Sequence, residues 1–169
     1  MAVNLKEETI LNEWSTVVLQ GAGNASAVLN GIQQRLQASQ IPGNCTWSIE
    51  ECKSGGFLFK TKRELLIVDL EQFKDYHIYV GIRDYGTHLD CCRFLTIEPG
   101  FLKKMVSTGI AKDENFLSAP KNILVHQDLR AWVTVVHHAV LDSVDDILNK
   151  LGQDPKLMQR GSKGMLEIW

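Results

Sequence analysis

The sequence predicts an α+β fold, with N-terminal helices, an antiparallel sheet of about five strands, and a long C-terminal helix packed on the sheet. Two observations lead to this prediction. Between residues 44 and 98, short runs of β-branched and aromatic residues alternate with turn signals, and the connections are too short for helical crossovers. Apolar residues recur at helical spacing on both sides of this region.

The first predicted element is a helix over residues 5–20. Its apolar positions have offsets of 0, 1, 4, 7 and 8, which is helical spacing; they are Ile10, Leu11, Trp14, Val17 and Val18. The β-branched run 16–18 would also suit a strand. Helical spacing over the longer window favours the helix.

A glycine-rich break at 21–23 separates this element from a second predicted helix, for which Asn24 is a suitable N-cap. The N-terminal region therefore contains two helices or one broken helix. The segment 21–26 also has some likeness to a phosphate-binding turn. We favour a simple helix break, because Ser26 replaces the third glycine and the strands that follow do not form a βαβ unit.

Five strands are predicted near 45–51, 56–61, 64–70, 77–83 and 88–97. The strand that contains Leu65–Val68 is apolar on both faces, which predicts a central position covered on both sides.

Helical spacing returns after the strands. A short helix is predicted from Pro99, followed by an exposed loop over 107–121. The strongest helical pattern in the chain covers residues 127–151 and stops at Gly152.

Length and composition predict one globular domain, residues 1–152, followed by a polar connector and apolar C-terminal segment at 153–169. The net charge of −2 gives no general attraction to polyanions, so we expect no nucleic-acid partner. We also expect no membrane contact, because no apolar run is long enough to span a bilayer. With no secretory signal and four cysteines, we expect a cytoplasmic protein with reduced thiols. The cysteine spacing suits no zinc site, and we expect neither a metal nor a cofactor.

The first candidate site is the hairpin around residues 84–87. If the loop has four residues, one face of the two strands carries polar groups at neighbouring positions: His77, Tyr79, Arg83, His88, Asp90 and Cys92. Either this is a solvated outer face with an Arg83–Asp90 ion pair, or it is a groove for a ligand or partner. In an enzyme, His88 would be the general acid or base, Asp90 would orient it, and Arg83 would bind an anion.

A second candidate is a face of the long helix with an imidazole and carboxylates at metal-ligand spacing: His138, Asp142, Asp145 and Asp146. Because the apolar stripe of this helix lies elsewhere, we favour ordinary surface ion pairs over a metal site.

The third candidate is the apolar C-terminal segment, whose predicted docking residues are Met165, Leu166, Ile168 and Trp169. Such a segment is costly to expose, so it docks either on its own domain or on a partner. We favour its own domain, because closing a short connector costs little entropy.

The sequence contains no nucleophile motif, and whether the chain is an enzyme stays open. We favour a non-catalytic binding or adaptor module with a protein partner or self-association. The alternative is a small enzyme or small-molecule-binding protein that uses the polar sheet face. In outline the layout resembles helix-grip and secretion-chaperone architectures, a resemblance of fold alone that implies no function.

Overall fold

A computed structural model of the chain describes residues 3–5, 9–54, 61–98, 122–166 and 168. The strands and helices in these ranges are, in chain order, β1 Val3–Asn4, β2 Thr9–Val18, α1 Ala25–Ala38, β3 Cys45–Ser54, β4 Thr61–Leu70, β5 Tyr76–Tyr85, β6 His88–Ile97, α2 Ile123–Lys150 and β7 Lys163–Gly164.

The strands form one sheet of seven, in the order β1-β3-β4-β5-β6-β2-β7. Six of them, β2 to β7, pair antiparallel with their neighbours, while the two residues of β1 pair parallel with β3. Helices α1 and α2 contribute to one large core on one face of this sheet. The predictions of an α+β fold, an antiparallel sheet and a long C-terminal helix are therefore confirmed.

The prediction of a helix over residues 5–20 is wrong, because residues 9–18 form strand β2. The register between β2 and β6 shifts between Ile10 and Asn12, and this β-bulge turns both Leu11 and Asn12 inward. Trp14 and Val18 then follow on the core side by strand alternation. The bulge thus gives the buried residues of a strand the spacing that is typical of a helix. The helix was predicted from this spacing.

The second N-terminal helix is present as α1, so one of the two predicted helices is confirmed. Its buried residues are Val28, Ile32 and Leu36. Asn24 does not cap the helix with its side chain; its Nδ2 donates to the carbonyl of Gly21 at 3.0 Å instead.

The remaining predictions agree with the described strands to differing extents. Residues 61–70 form one strand, and the rest of the strand predicted at 56–61 lies outside the described residues, as do the short helix after Pro99 and the loop at 107–121. Helix α2 begins at Ile123, four residues before the predicted start at 127, and it has a C-terminal stop at Gly152 with φ of 72°.

The hairpin between β5 and β6 has a turn of two residues, Gly86–Thr87, instead of the predicted four. Tyr85 pairs with His88, and Arg83 pairs with Asp90. Each predicted partner is therefore displaced by two residues. Because side chains alternate with a period of two, this displacement leaves every residue on its predicted face.

Candidate functional site

The outer face of the sheet, which is turned away from α1 and α2, carries all six residues of the predicted polar face. They do not form one cluster. Arg83, His88 and Asp90 lie at the hairpin end, Tyr79 and Cys92 lie in the middle, and His77 lies at the opposite end. On β4, which lies on the other side of β5 from β6, the same face carries Arg63, Leu65 and Ile67.

At the hairpin end, Arg83 Nε donates to Asp90 Oδ2 at 2.9 Å, and its guanidinium lies 5.0 Å from the centre of the Tyr85 ring. His88 Nδ1 accepts a hydrogen bond from the backbone N–H of Gln20 at 3.1 Å. The carboxylate expected to orient the imidazole therefore pairs with the guanidinium expected to bind an anion. This end of the face is an ion pair beside a structural histidine.

At the opposite end, His77 lies between two carboxylates. Its Nδ1 is 2.7 Å from Asp69 Oδ1, and its Nε2 is 3.3 Å from Glu98 Oε1. A histidine with a carboxylate at each nitrogen links β4, β5 and the end of β6 through their side chains.

Between these two ends lies a groove of about 420 Å³, which we call the sheet-face groove. Its lining comes from five strands and from Leu5, which follows β1: Leu5, Ile10, Cys52, Thr61, Arg63, Leu65, Tyr79, Cys92, Phe94 and Thr96. Arg63 is the one charged residue among them. The groove thus has an apolar body with hydroxyl and thiol groups and a single guanidinium.

The floor of the sheet-face groove is shaped by Gly81. A Cβ atom at this position would lie 2.8 Å from Cys92 Sγ and 3.1 Å from Leu65 Cδ2, because both side chains lean over the glycine. Cys92 Sγ lies 3.5 Å from the Gly81 carbonyl oxygen and donates to it. Burial raises the pKa of the Cys92 thiol, which keeps it protonated. The space above Gly81, which has no side chain of its own, is therefore filled by the side chains of Cys92 and Leu65.

Cys52, Ile67 and Tyr79 form a second small cluster of buried residues, against which Leu5 and Leu65 pack. All of them except Ile67 also line the groove. The groove is therefore built on paired strands and not on loops.

The described part of the C-terminal segment, residues 158–166 and 168, packs against the edge of the sheet next to β2. Its strand β7 pairs with Asn12 and Glu13, and Ile168 is buried at 2% exposure. Trp14 Nε1 donates to the carbonyl of Gln159 at 2.8 Å. The residues that pair are from the polar connector, and Trp169 lies outside the described residues. The described part of this segment makes its contacts within the chain.

On the face of α2 that carries His138, the carboxylates have arginine partners from elsewhere in the chain, in line with the surface ion pairs that the sequence favoured over a metal site. Arg160 contacts Asp145 at 2.9 Å and Asp142 at 3.8 Å, and Arg35 contacts Asp146 at 2.7 Å. No group of three or more possible metal ligands occurs in the described part of the chain.

The glycine-rich turn before α1 already holds an anionic group from the chain itself. The backbone N–H of Gly23 donates to both carboxylate oxygens of Asp84, each at 3.0 Å. A carboxylate of the β5–β6 hairpin thus occupies the position at the helix start where a phosphate was considered.

Sequence reasoning missed a buried charged residue, Arg93, which is 0% exposed in the core between the sheet and α2. Its Nη2 donates to Asn12 Oδ1, while Nε and Nη1 have no hydrogen-bond partner in the described part of the chain. The alternation of the strand could have identified it, because position 93 lies on the same buried side of β6 as Leu89, Cys91 and Leu95. The general exclusion of arginine from cores concealed it.

Comparison with known proteins identifies no relative: no family model matches the chain, and no curated protein or solved structure does. Among the helices of the described residues, none is both long enough and apolar enough to cross a membrane.

Proposed function

We propose that the chain is a non-catalytic binding module that holds a small apolar or amphipathic molecule in the sheet-face groove. The observation that carries this proposal is the groove itself, which has a volume of about 420 Å³ and a mainly apolar lining. Ligand pockets commonly have volumes of about 300–1,000 Å³, with an apolar lining and a few polar groups.

The construction of the groove supports binding without large rearrangement. Most of its lining residues project from β4, β5 and β6. Strands β5 and β6 pair over their whole lengths, and β4 pairs with β5 at Leu66–Val68. A site built on paired strands loses little conformational entropy when it is filled, and this favours affinity.

The polar groups on the same face favour binding over proton transfer. Asp90 is engaged by Arg83 and His88 by the backbone of Gln20, so neither is arranged around a common reacting atom. Burial raises the pKa of the Cys92 thiol, which disfavours the thiolate needed for nucleophilic attack.

The proposal is tested with Nile red, a neutral dye whose fluorescence rises in apolar surroundings. We expect saturable binding to the native protein and its loss in Leu65→Trp, because an indole at this half-buried position occupies the groove. The matched control is Ser48→Trp, which adds the same ring at an exposed position on the outer face, outside the groove lining. Absence of saturable binding, or equal binding by both variants, would refute the proposal.

A second candidate is self-association through the edge of β2. Strand β7 covers only Asn12 and Glu13 of this ten-residue strand. Val17 and Leu19, near its other end, are 52% and 59% exposed. An edge of uncharged β-branched residues readily pairs with a second strand. Light scattering of the native protein and of Val17→Lys tests this: we expect a dimer that the lysine disrupts, and a monomeric native protein would refute it.

A further inference from the structure

The sheet-face groove has an unequal distribution of polarity along its length. Arg63 on β4 lies towards one end, while Phe94 and Ile10 lie towards the other. Three interstrand spacings separate β4 from β2, or roughly 14 Å at about 4.8 Å each. A ligand that fills the groove therefore has its two ends in different surroundings, one cationic and one apolar.

Among the cations of the outer face in the described residues, Arg63 is the one without an ion-pair partner. Arg83 is paired with Asp90, and His77 lies between Asp69 and Glu98. The carboxylate of Glu51 contacts Lys53 and Lys62, which point to the other side of the sheet from Arg63. No carboxylate in the described ranges lies within ion-pair distance of Arg63.

The charge of Arg63 also influences the Cys92 thiol in the groove. Burial raises the pKa of Cys92, and the charge of Arg63 is one of the weaker influences that lower it. Cys92 is two strands away on β6, at a distance of roughly 10 Å between strand axes. Arg63 and Cys92 both line the groove.

The opposite end of the groove has exposed apolar surface, which the hydrocarbon chain of a ligand would cover. Ile10 is 53% exposed, and Phe94 is half-buried beside it on the neighbouring strand β6. Removing such apolar surface from water contributes about 25 cal/mol per Å².

We infer, on the basis of the proposed binding function, that the ligand is a carboxylate-headed amphiphile. The geometry assigns its carboxylate to Arg63 and its apolar chain to the surface of Leu65, Phe94 and Ile10. A guanidinium donates two parallel hydrogen bonds to a carboxylate, which makes it the appropriate residue for this head group.

The test compares three ligands of equal chain length, namely decanoate, decanol and decyltrimethylammonium, as competitors of Nile red. For the native protein we expect decanoate to bind about tenfold more tightly than decanol, and the cation to bind most weakly. Added NaCl should weaken decanoate binding and leave decanol binding nearly unchanged, because exposed charges are screened.

Arg63→Gln is the decisive variant. Arg63 is exposed, so we expect the variant to fold, with an unchanged circular dichroism spectrum. It should lose the preference for decanoate and keep its affinity for decanol. Arg83→Gln removes the other guanidinium of the outer face and should keep the preference, because Arg83 does not line the groove.

The outcomes separate this inference from the proposed function. Equal native affinity for decanoate and decanol, with both lost in Leu65→Trp, would overturn the carboxylate inference and leave the binding function standing. A decanoate preference that persists in Arg63→Gln would also overturn it. If neither ligand displaces Nile red, or Nile red itself does not bind, the proposed function fails.

Discussion

Arg93 donates a hydrogen bond from Nη2 to Oδ1 of Asn12, and this bond joins a buried cation on β6 to the β-bulge of β2. Asn12 in turn donates from Nδ2 to Ser162 Oγ at 2.9 Å and to the carbonyl of Met165 at 3.0 Å. One amide therefore links the guanidinium to the C-terminal segment. Burial lowers the pKa of Arg93 to about 10, which leaves the group charged at neutral pH.

The first prediction concerns the partner of this buried charge. We expect Asn12→Ala to lower the free energy of unfolding by about 3–5 kcal/mol, because it removes the one acceptor that this buried guanidinium has among the described residues. Arg93→Met should cost less, since it removes the charge together with the need to solvate it and keeps an unbranched chain of similar shape. Urea denaturation of both variants measures the difference. A larger loss in Arg93→Met than in Asn12→Ala would contradict this account.

The second prediction concerns His137, which is 0% exposed beneath the same segment. Its Nε2 lies 2.8 Å from the carbonyl oxygen of Arg160; since a carbonyl only accepts, Nε2 carries the proton. Burial first, and then the charge of Arg93, lower the pKa of His137 from 6.5 to about 4. The unfolded chain therefore binds more protons than the folded chain between these values. Stability should fall as pH drops from 6.5 towards 4, by about 3 kcal/mol in total.

Denaturation at several pH values, in the native protein and in His137→Gln, measures this contribution. Above pH 6.5 both states of the native protein hold a neutral ring, so the pH dependence due to His137 should vanish there. The glutamine variant should have a shallower fall in stability between pH 6.5 and 4. A native stability that rises on acidification through this window would refute the assignment.

The parts of the fold that could be predicted are those in which residues close together in the sequence determine the local structure. The β5–β6 hairpin is an example, because its alternation assigned each side chain to the correct face even though the turn is two residues shorter than expected. The β-bulge at Leu11 is the opposite case. It depends on the register against β6, some 80 residues away in sequence, and produces helical spacing in a strand.

The candidate site was predictable to the extent that Tyr79 and Cys92 were placed on the outer face. The groove they line also needs Arg63 and Leu65 from β4 and Ile10 from β2. Strands that are neighbours in the sheet can be far apart in sequence: β2 is followed in the chain by α1 and yet pairs with β6. Spacing along the chain contains no information on that pairing, so the sequence could not bring these residues together.

The third prediction concerns the C-terminal segment. Ile168 is 2% exposed, and its N–H donates to Ser162 Oγ at 2.9 Å. We expect Ile168→Ala to lower the free energy of unfolding by about 2–4 kcal/mol, from lost apolar burial and the cavity that remains. Leu157, which is 86% exposed and directly precedes this segment, is the matched control. Its replacement by alanine should change stability by less than about 0.5 kcal/mol. Equal effects in the two variants, measured by thermal denaturation, would mean that the segment does not dock in this way.

The last prediction concerns the groove floor, where Gly81 lies beneath two side chains. In Gly81→Ala the new methyl group would lie 2.8 Å from Cys92 Sγ, which is closer than carbon and sulfur tolerate. We expect a loss of about 1–3 kcal/mol in stability from this overpacking. Cys92→Ala removes the obstructing sulfur, so Gly81→Ala should cost clearly less in that background, and urea denaturation of the four proteins gives the coupling energy. Gly81→Ala should also weaken Nile red binding, because the displaced Cys92 and Leu65 side chains narrow the groove. We expect this weakening in Gly81→Ala alone and not when it is combined with Cys92→Ala. Additive stabilities would show that the sulfur and the glycine do not share this space.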